Sequence, residues 1–120
     1  MIGIDLISIA RIEAMIERFG ERGVARFLSP DEIDIAKKSE TIAGFWAAKE
    51  AIAKALGCGI GSELSFHDII LSKDSKGRPQ AILTPEASAR HGSPTIALSI
   101  THDGGFAAAA AIITHTKGVS

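Results

Sequence analysis

The sequence predicts an α+β domain, and three observations carry that expectation. A chain of 120 residues has material for one hydrophobic core, so a single domain over residues 1–120 is expected. Helix-period and strand-like segments are mixed along it, and the strands are mostly joined by short turns.

In order, residues 1–7 alternate too little for a strand exposed on one face and suit a short buried one. Ile9, Ile12, Ile16 and Phe19 recur at spacings of three and four, which predicts a helix from Ile9 to Phe19. Gly20 and Gly23 interrupt it, with a short helical turn expected over Val24 to Leu28. Ser29-Pro30-Asp31-Glu32 reads as a helix start, with a serine cap, proline at the first position and glutamate three residues after the cap. Thr41 to Leu56 is the longest helical stretch, closed by Gly57 and followed by the glycine-rich segment Gly57-Cys58-Gly59-Ile60-Gly61. Ile69 to Lys73 and Gln80 to Leu83 read as strands joined by the turn Asp74-Ser75-Lys76-Gly77. Thr84-Pro85-Glu86 opens a helix that ends by Gly92. Thr95 to Thr101 and Phe106 to Thr114 form a final hairpin across Asp103-Gly104-Gly105.

Composition excludes several classes. Hydrophobic residues make up 46% and charged residues 22%, the profile of a folded globular chain. A net charge of −1 argues against nucleic-acid binding, which calls for a basic excess. Cys58 is the single cysteine and cannot form an internal disulfide, so nothing points to an oxidising compartment. Asp5 stands where a signal peptide would carry its basic and then apolar segments. The longest apolar run, Phe106 to Ile113, is well short of the roughly 18 residues a membrane span requires. A cytoplasmic address is the expectation, with no membrane partner.

The helix from Thr41 to Leu56 carries its charges in one place. After Glu40 only Lys49, Glu50 and Lys54 are charged; Glu50 and Lys54 lie about 40° apart around the axis, with Lys49 about 100° to one side. The rest of the circumference is apolar, so the helix is buried in the core or against another subunit. From the pattern alone, the charged wedge is equally well a solvated face with Glu50 and Lys54 as an i,i+4 pair.

Residue identity adds to the pattern. Gly3-Ile4-Asp5, Arg11-Ile12, Phe45-Trp46-Ala47-Ala48-Lys49-Glu50-Ala51 with Lys54-Ala55, Gly57-Cys58-Gly59-Ile60-Gly61 and Ser99-Ile100-Thr101-His102 occur in this order. Together they resemble the holo-acyl-carrier-protein synthase family of 4'-phosphopantetheinyl transferases, and the blocks cover nearly the whole chain. The lysine-glutamate block with its second lysine is the most specific. One departure stands out: many members carry arginine-phenylalanine where this chain has Phe45-Trp46, so any contact made by that arginine does not carry over.

The resemblance implies helices packed on a mainly antiparallel sheet, a homotrimer with active sites between neighbours, and a defined reaction. It implies Mg²⁺-dependent transfer of 4'-phosphopantetheine from coenzyme A to a serine of apo acyl carrier protein, giving the holo carrier for fatty acid synthesis. By the same resemblance, Asp5 and Glu50 hold the Mg²⁺, in keeping with that ion's use of few carboxylates alongside phosphate oxygens. Glu50 and Lys54 are the implied catalytic residues, Lys54 contacting phosphate. A metal-bound water or Glu50 itself removes the serine proton; the residues leave both open. Lys49, Lys54, Gly57, Gly59, Gly61, Ser99, Thr101 and His102 are the implied coenzyme A contacts. Each has a plainer reading: Asp5 as a turn or capping aspartate, Lys54 as the partner of Glu50, the glycines as a helix stop, and Ser99 to His102 as a strand end. His67, His91 and His115 lack metal-ligand spacing and read as surface or turn residues, and Cys58 as a structural thiol.

Acyl carrier proteins are acidic, and Arg11, Arg18, Arg22 and Arg26 recur at spacings of seven, four and four. If helical geometry continued through Gly20 and Gly23, they would share a face about 80° wide, a docking stripe for the carrier. Glu13, Glu17 and Glu21 are interleaved, so an ordinary mixed-charge helix is the alternative. Two rival functions remain: another magnesium-dependent phosphoryl or nucleotidyl transferase using the same acids, and a non-catalytic trimer that binds nucleotide or coenzyme A.

Overall fold

A computed structural model describes residues 1–115; the last five of the expected 120-residue domain lie outside the described residues. Its centre is helix α4, Ser39–Ala55, in which Ala43, Ala47, Ala48, Ala51 and Ile52 are fully buried. Small side chains on so many sides let the chain pack closely around this one helix. Of the two covers open to its apolar girth, the chain's own core and another subunit, the core supplies the burial seen here.

One face of α4 meets a three-stranded antiparallel sheet ordered β1 (Ile2–Ser8), β5 (Phe106–His115) and β4 (Pro94–Asp103). The β4–β5 hairpin turns on Gly104 and Gly105, both at positive φ (58° and 85°), as a two-residue hairpin turn demands. A separate hairpin, β2 (Ile69–Lys73) and β3 (Pro79–Leu83), follows a single 3-10 turn at Phe66–Asp68 that the sequence reading did not anticipate. Short helices complete the chain: α1 (Ile9–Phe19), α2 (Glu21–Ala25), α3 (Pro30–Ile35) and α5 (Pro85–Arg90). The α+β expectation holds, but the short helix expected over Val24 to Leu28 lies instead at Glu21–Ala25, since Gly23 is accommodated within it. At α3 both halves of the expected capping box form, between Ser29 and Glu32.

Two further expectations need correction. Helical geometry does not continue through Gly20, which sits at φ 61°, ψ −144° between α1 and α2. The single arginine face therefore does not exist: Arg11 and Arg18 belong to α1, Arg22 to α2, and Arg26 follows α2. Nor is β1 buried on both sides. Gly3 and Ile7 face the interior, while Ile2, Ile4 and Leu6 are exposed on the other face.

Candidate active site

The site begins with a close approach. At Gly3, β1 lies so near α4 that an added Cβ would stand 2.6 Å from the backbone nitrogen of Ala55 and closer still to the carbonyl of Ala51. Only glycine allows this contact. Two residues further along the same face of β1 comes Asp5, brought against the helix positions that carry Glu50 and Lys54.

Lys54 donates to Asp5 Oδ1 at 2.9 Å and to the Ile4 carbonyl at 3.2 Å. Its ion-pair partner among the described residues is Asp5, so the alternative i,i+4 pair with Glu50 does not form. Glu50 is half-buried. Burial pushes its carboxyl above the usual glutamate range, the nearby Asp5 charge pushes the same way, and Lys54 opposes both. Glu50 thus lies near enough to feel the charges of both Asp5 and Lys54, while Lys54 itself is paired with Asp5. Among the described residues no group of three or more His, Cys, Asp or Glu could hold a metal. A pair of hard oxygen donors with residual negative charge nonetheless fits a Mg²⁺ ion that takes its remaining ligands from phosphate and water.

Lys49 is removed from the candidate ligand contacts. It is fully buried, and its ammonium is spent on three acceptors: Glu32 Oε1 (2.8 Å), the Phe27 carbonyl (2.8 Å) and the Phe66 carbonyl (3.1 Å). Burial pushes it below the usual lysine range, with the hydrogen bond and charge of Glu32 opposing. The sequence identifies Glu32 only as a capping residue, not as the partner of Lys49. The signal for it was a lysine on an otherwise apolar helix, which requires a buried partner.

The glycine segment after α4 caps the helix: Gly57 donates to Lys54, and both Cys58 and Gly59 donate to Ala53. Gly57 and Gly59 take positive φ, and beside Gly57, Gly59 and Gly61 an added Cβ would meet nothing. The loop therefore faces open space. Burial pushes the Cys58 thiol up, with the Glu63 charge adding, which keeps it a poor nucleophile.

The sheet divides the remaining candidates. Strand register sets Asp5, Ala109 and Ile100 in one row, flanked on one side by Ile4, Ala110 and Ser99 and on the other by Leu6, Ala108 and Thr101. Adjacent rows point to opposite faces, so the rows on either side of Asp5 share one face. Ser99 and Thr101 thus lie with Ile4 on the outer face, lining a shallow pocket there, whereas Asp5 faces α4. His102 faces the other way from both, lining a cavity with Lys73, Glu40, Thr41 and Phe45. Phe45, which also lines it, is buried. Trp46 packs between Phe27 and Phe66, ring centroids 5.0 and 4.9 Å away. Arg11, Arg18, Arg22 and Arg26 are all exposed, Arg18 lying over the Phe19 ring at 5.0 Å.

Comparison with known proteins fits this geometry. Residues 1–111 match the model of the 4'-phosphopantetheinyl transferase superfamily, and the chain belongs to that family of enzymes. Within it the chain is similar to holo-acyl-carrier-protein synthases. That of Wolinella succinogenes is 62% identical, the match covering 91% of this chain and 92% of the relative. That of a Sulfurovum species is 54% identical over 93% and 94%. The crystal structure of the Helicobacter pylori holo-acyl-carrier-protein synthase in complex with coenzyme A superposes with a TM-score of 0.92 at 48% identity. That match covers 95% of this chain and all of that one.

Proposed function

We propose that this chain transfers 4'-phosphopantetheine from coenzyme A to a serine of apo acyl carrier protein, with Asp5 and Glu50 holding Mg²⁺. The observation that carries the reading is the Asp5–Glu50–Lys54 cluster, set where the family's lysine-glutamate block meets its N-terminal aspartate. Mg²⁺, when bound, supplies positive charge that offsets charge building on the leaving phosphate. Lys54 adds a second cation beside the same oxygens. The proton of the attacking serine hydroxyl goes either to Glu50 or to a water held by the metal.

The active enzyme in this reading is a homotrimer. Asp5 and Glu50 lie on one side of the sheet and Ser99 and Thr101 on the other, so one chain does not present both sets to one ligand. The outer face is also apolar: Ile2, Ile4, Leu6 and Ile112 are 72%, 68%, 64% and 49% exposed, an area that calls for a partner. The glycine loop and His102 complete the coenzyme A contacts. Arg11, and with it Arg18, Arg22 and Arg26, form the acidic carrier's landing surface by exposure and charge rather than as one helical stripe. The product serves fatty acid synthesis in the cytoplasm; among the described residues no helix is long and apolar enough to cross a membrane.

The test is mass spectrometry of apo carrier protein incubated with this chain, coenzyme A and Mg²⁺. The carrier gains about 340 Da, the mass of the phosphopantetheine group. A gain matching phosphoryl or nucleotidyl transfer, or no gain despite coenzyme A binding, would overturn the reading.

A further inference from the structure

Lys54 Nζ stands 2.9 Å from Asp5 Oδ1, on a carboxylate that a divalent cation would also need. A second bond, to the Ile4 carbonyl at 3.2 Å, fixes the ammonium at the edge strand of the sheet. Asp5 is only 14% exposed in its side chain, so it has little water to turn to, whereas Lys54 is 52% exposed on a flexible stem and can swing away. Glu50, the other carboxylate, makes no ion pair within 4.0 Å among the described residues. The lysine is therefore committed to one of the two acids, and that acid belongs to the metal pair.

From this geometry we infer that Lys54 and the metal compete for Asp5, and that an arriving phosphate relieves the competition by taking Lys54 over. The inference rests on the metal reading given above. Its consequence is a linkage: phosphate draws the ammonium off Asp5 and so strengthens metal binding, and by reciprocity metal binding frees the ammonium for phosphate. Lys54 then does more than contact phosphate, because it makes metal uptake depend on the substrate being present.

Mn²⁺ binding, followed by electron paramagnetic resonance and calorimetry, tests this with wild type, Lys54→Met and, as a charge control, Lys76→Met. Lys54 is half-exposed, so its loss leaves the fold intact, which a thermal melt verifies. Without coenzyme A, Lys54→Met is expected to bind Mn²⁺ about three- to tenfold more tightly than wild type, since a competing ion pair and a like charge are both gone. Lys76→Met stays within about twofold of wild type, being an exposed lysine elsewhere. Coenzyme A then raises Mn²⁺ affinity by a larger factor in wild type than in Lys54→Met. Equal or weaker metal binding by Lys54→Met, or the same factor from coenzyme A in both proteins, overturns the inference and leaves the Asp5–Glu50 metal pair standing. Mn²⁺ bound by neither protein, with or without coenzyme A, overturns both.

Discussion

Lys49 and Glu32 form a buried ion pair 2.8 Å long, side chains 0% and 2% exposed, with every ammonium proton placed and both carboxylate oxygens engaged. Glu32 Oε1 also accepts from the Ser29 amide, and Oε2 accepts from the Leu71 amide at 2.8 Å. The pair thus ties α4 to the segment after α2, to α3, to the 3-10 turn and to β2. It also holds the carbonyls of Phe27 and Phe66, whose rings flank Trp46.

Removing one partner strands a buried charge. Lys49→Met or Glu32→Leu alone is expected to cost about 3–5 kcal/mol in chemical denaturation. The double variant should lose less than the sum of the two by about 0.5–3 kcal/mol, since each removes the other's unpaired charge. Strict additivity would show that the two side chains do not interact.

Glu50→Gln keeps shape and removes charge, and transfer is expected to fall at least ~100-fold. Stability should move the other way. A carboxyl whose folded pKa is raised binds more protons in the folded chain, so wild type loses stability as pH climbs past the ordinary glutamate value. Without divalent metal, Glu50→Gln should therefore melt at or above wild type at pH 7. The gap should close as pH falls to about 4, where the carboxyl is protonated. A variant that melts lower at pH 7 contradicts a carboxylate destabilised by burial and by the Asp5 charge.

Gly3→Ala forces a Cβ into the backbone of α4. We expect a loss of at least about 1–3 kcal/mol, as for an overpacked core, together with most of the transfer activity, because Asp5 moves away from Glu50. Gly61→Ala, where an added Cβ meets nothing, should leave the melting temperature unchanged. Thermal melts of the two variants side by side decide the point.

Shared sites can be counted by mixing subunits. Glu50→Gln and the pair Ser99→Ala/Thr101→Val should each be nearly inactive alone. Co-assembled one to one, they should recover about one quarter of wild-type activity, the chance that a site draws both intact halves from neighbouring chains. Light scattering should give the mass of three chains. No recovery, with a monomer that turns over normally, would sink the shared-site model.

The local sequence determined the elements. Three-and-four spacing set α1, the capping residues set α3 and α5, and paired glycines set the β4–β5 turn, because each depends on neighbours a few residues away. It also gave the lysine-glutamate block its place on the central helix. What it left open was where each charge on that helix points and what it meets. Lys49 and Glu50 are adjacent, yet one is buried against Glu32 and the other faces Asp5. Lys54 pairs across 49 residues with Asp5 rather than with its helical neighbour Glu50. Those choices follow from how closely β1 approaches α4 at Gly3 and from which faces the strand register turns outward. Both are set by long-range packing, which no local spacing encodes.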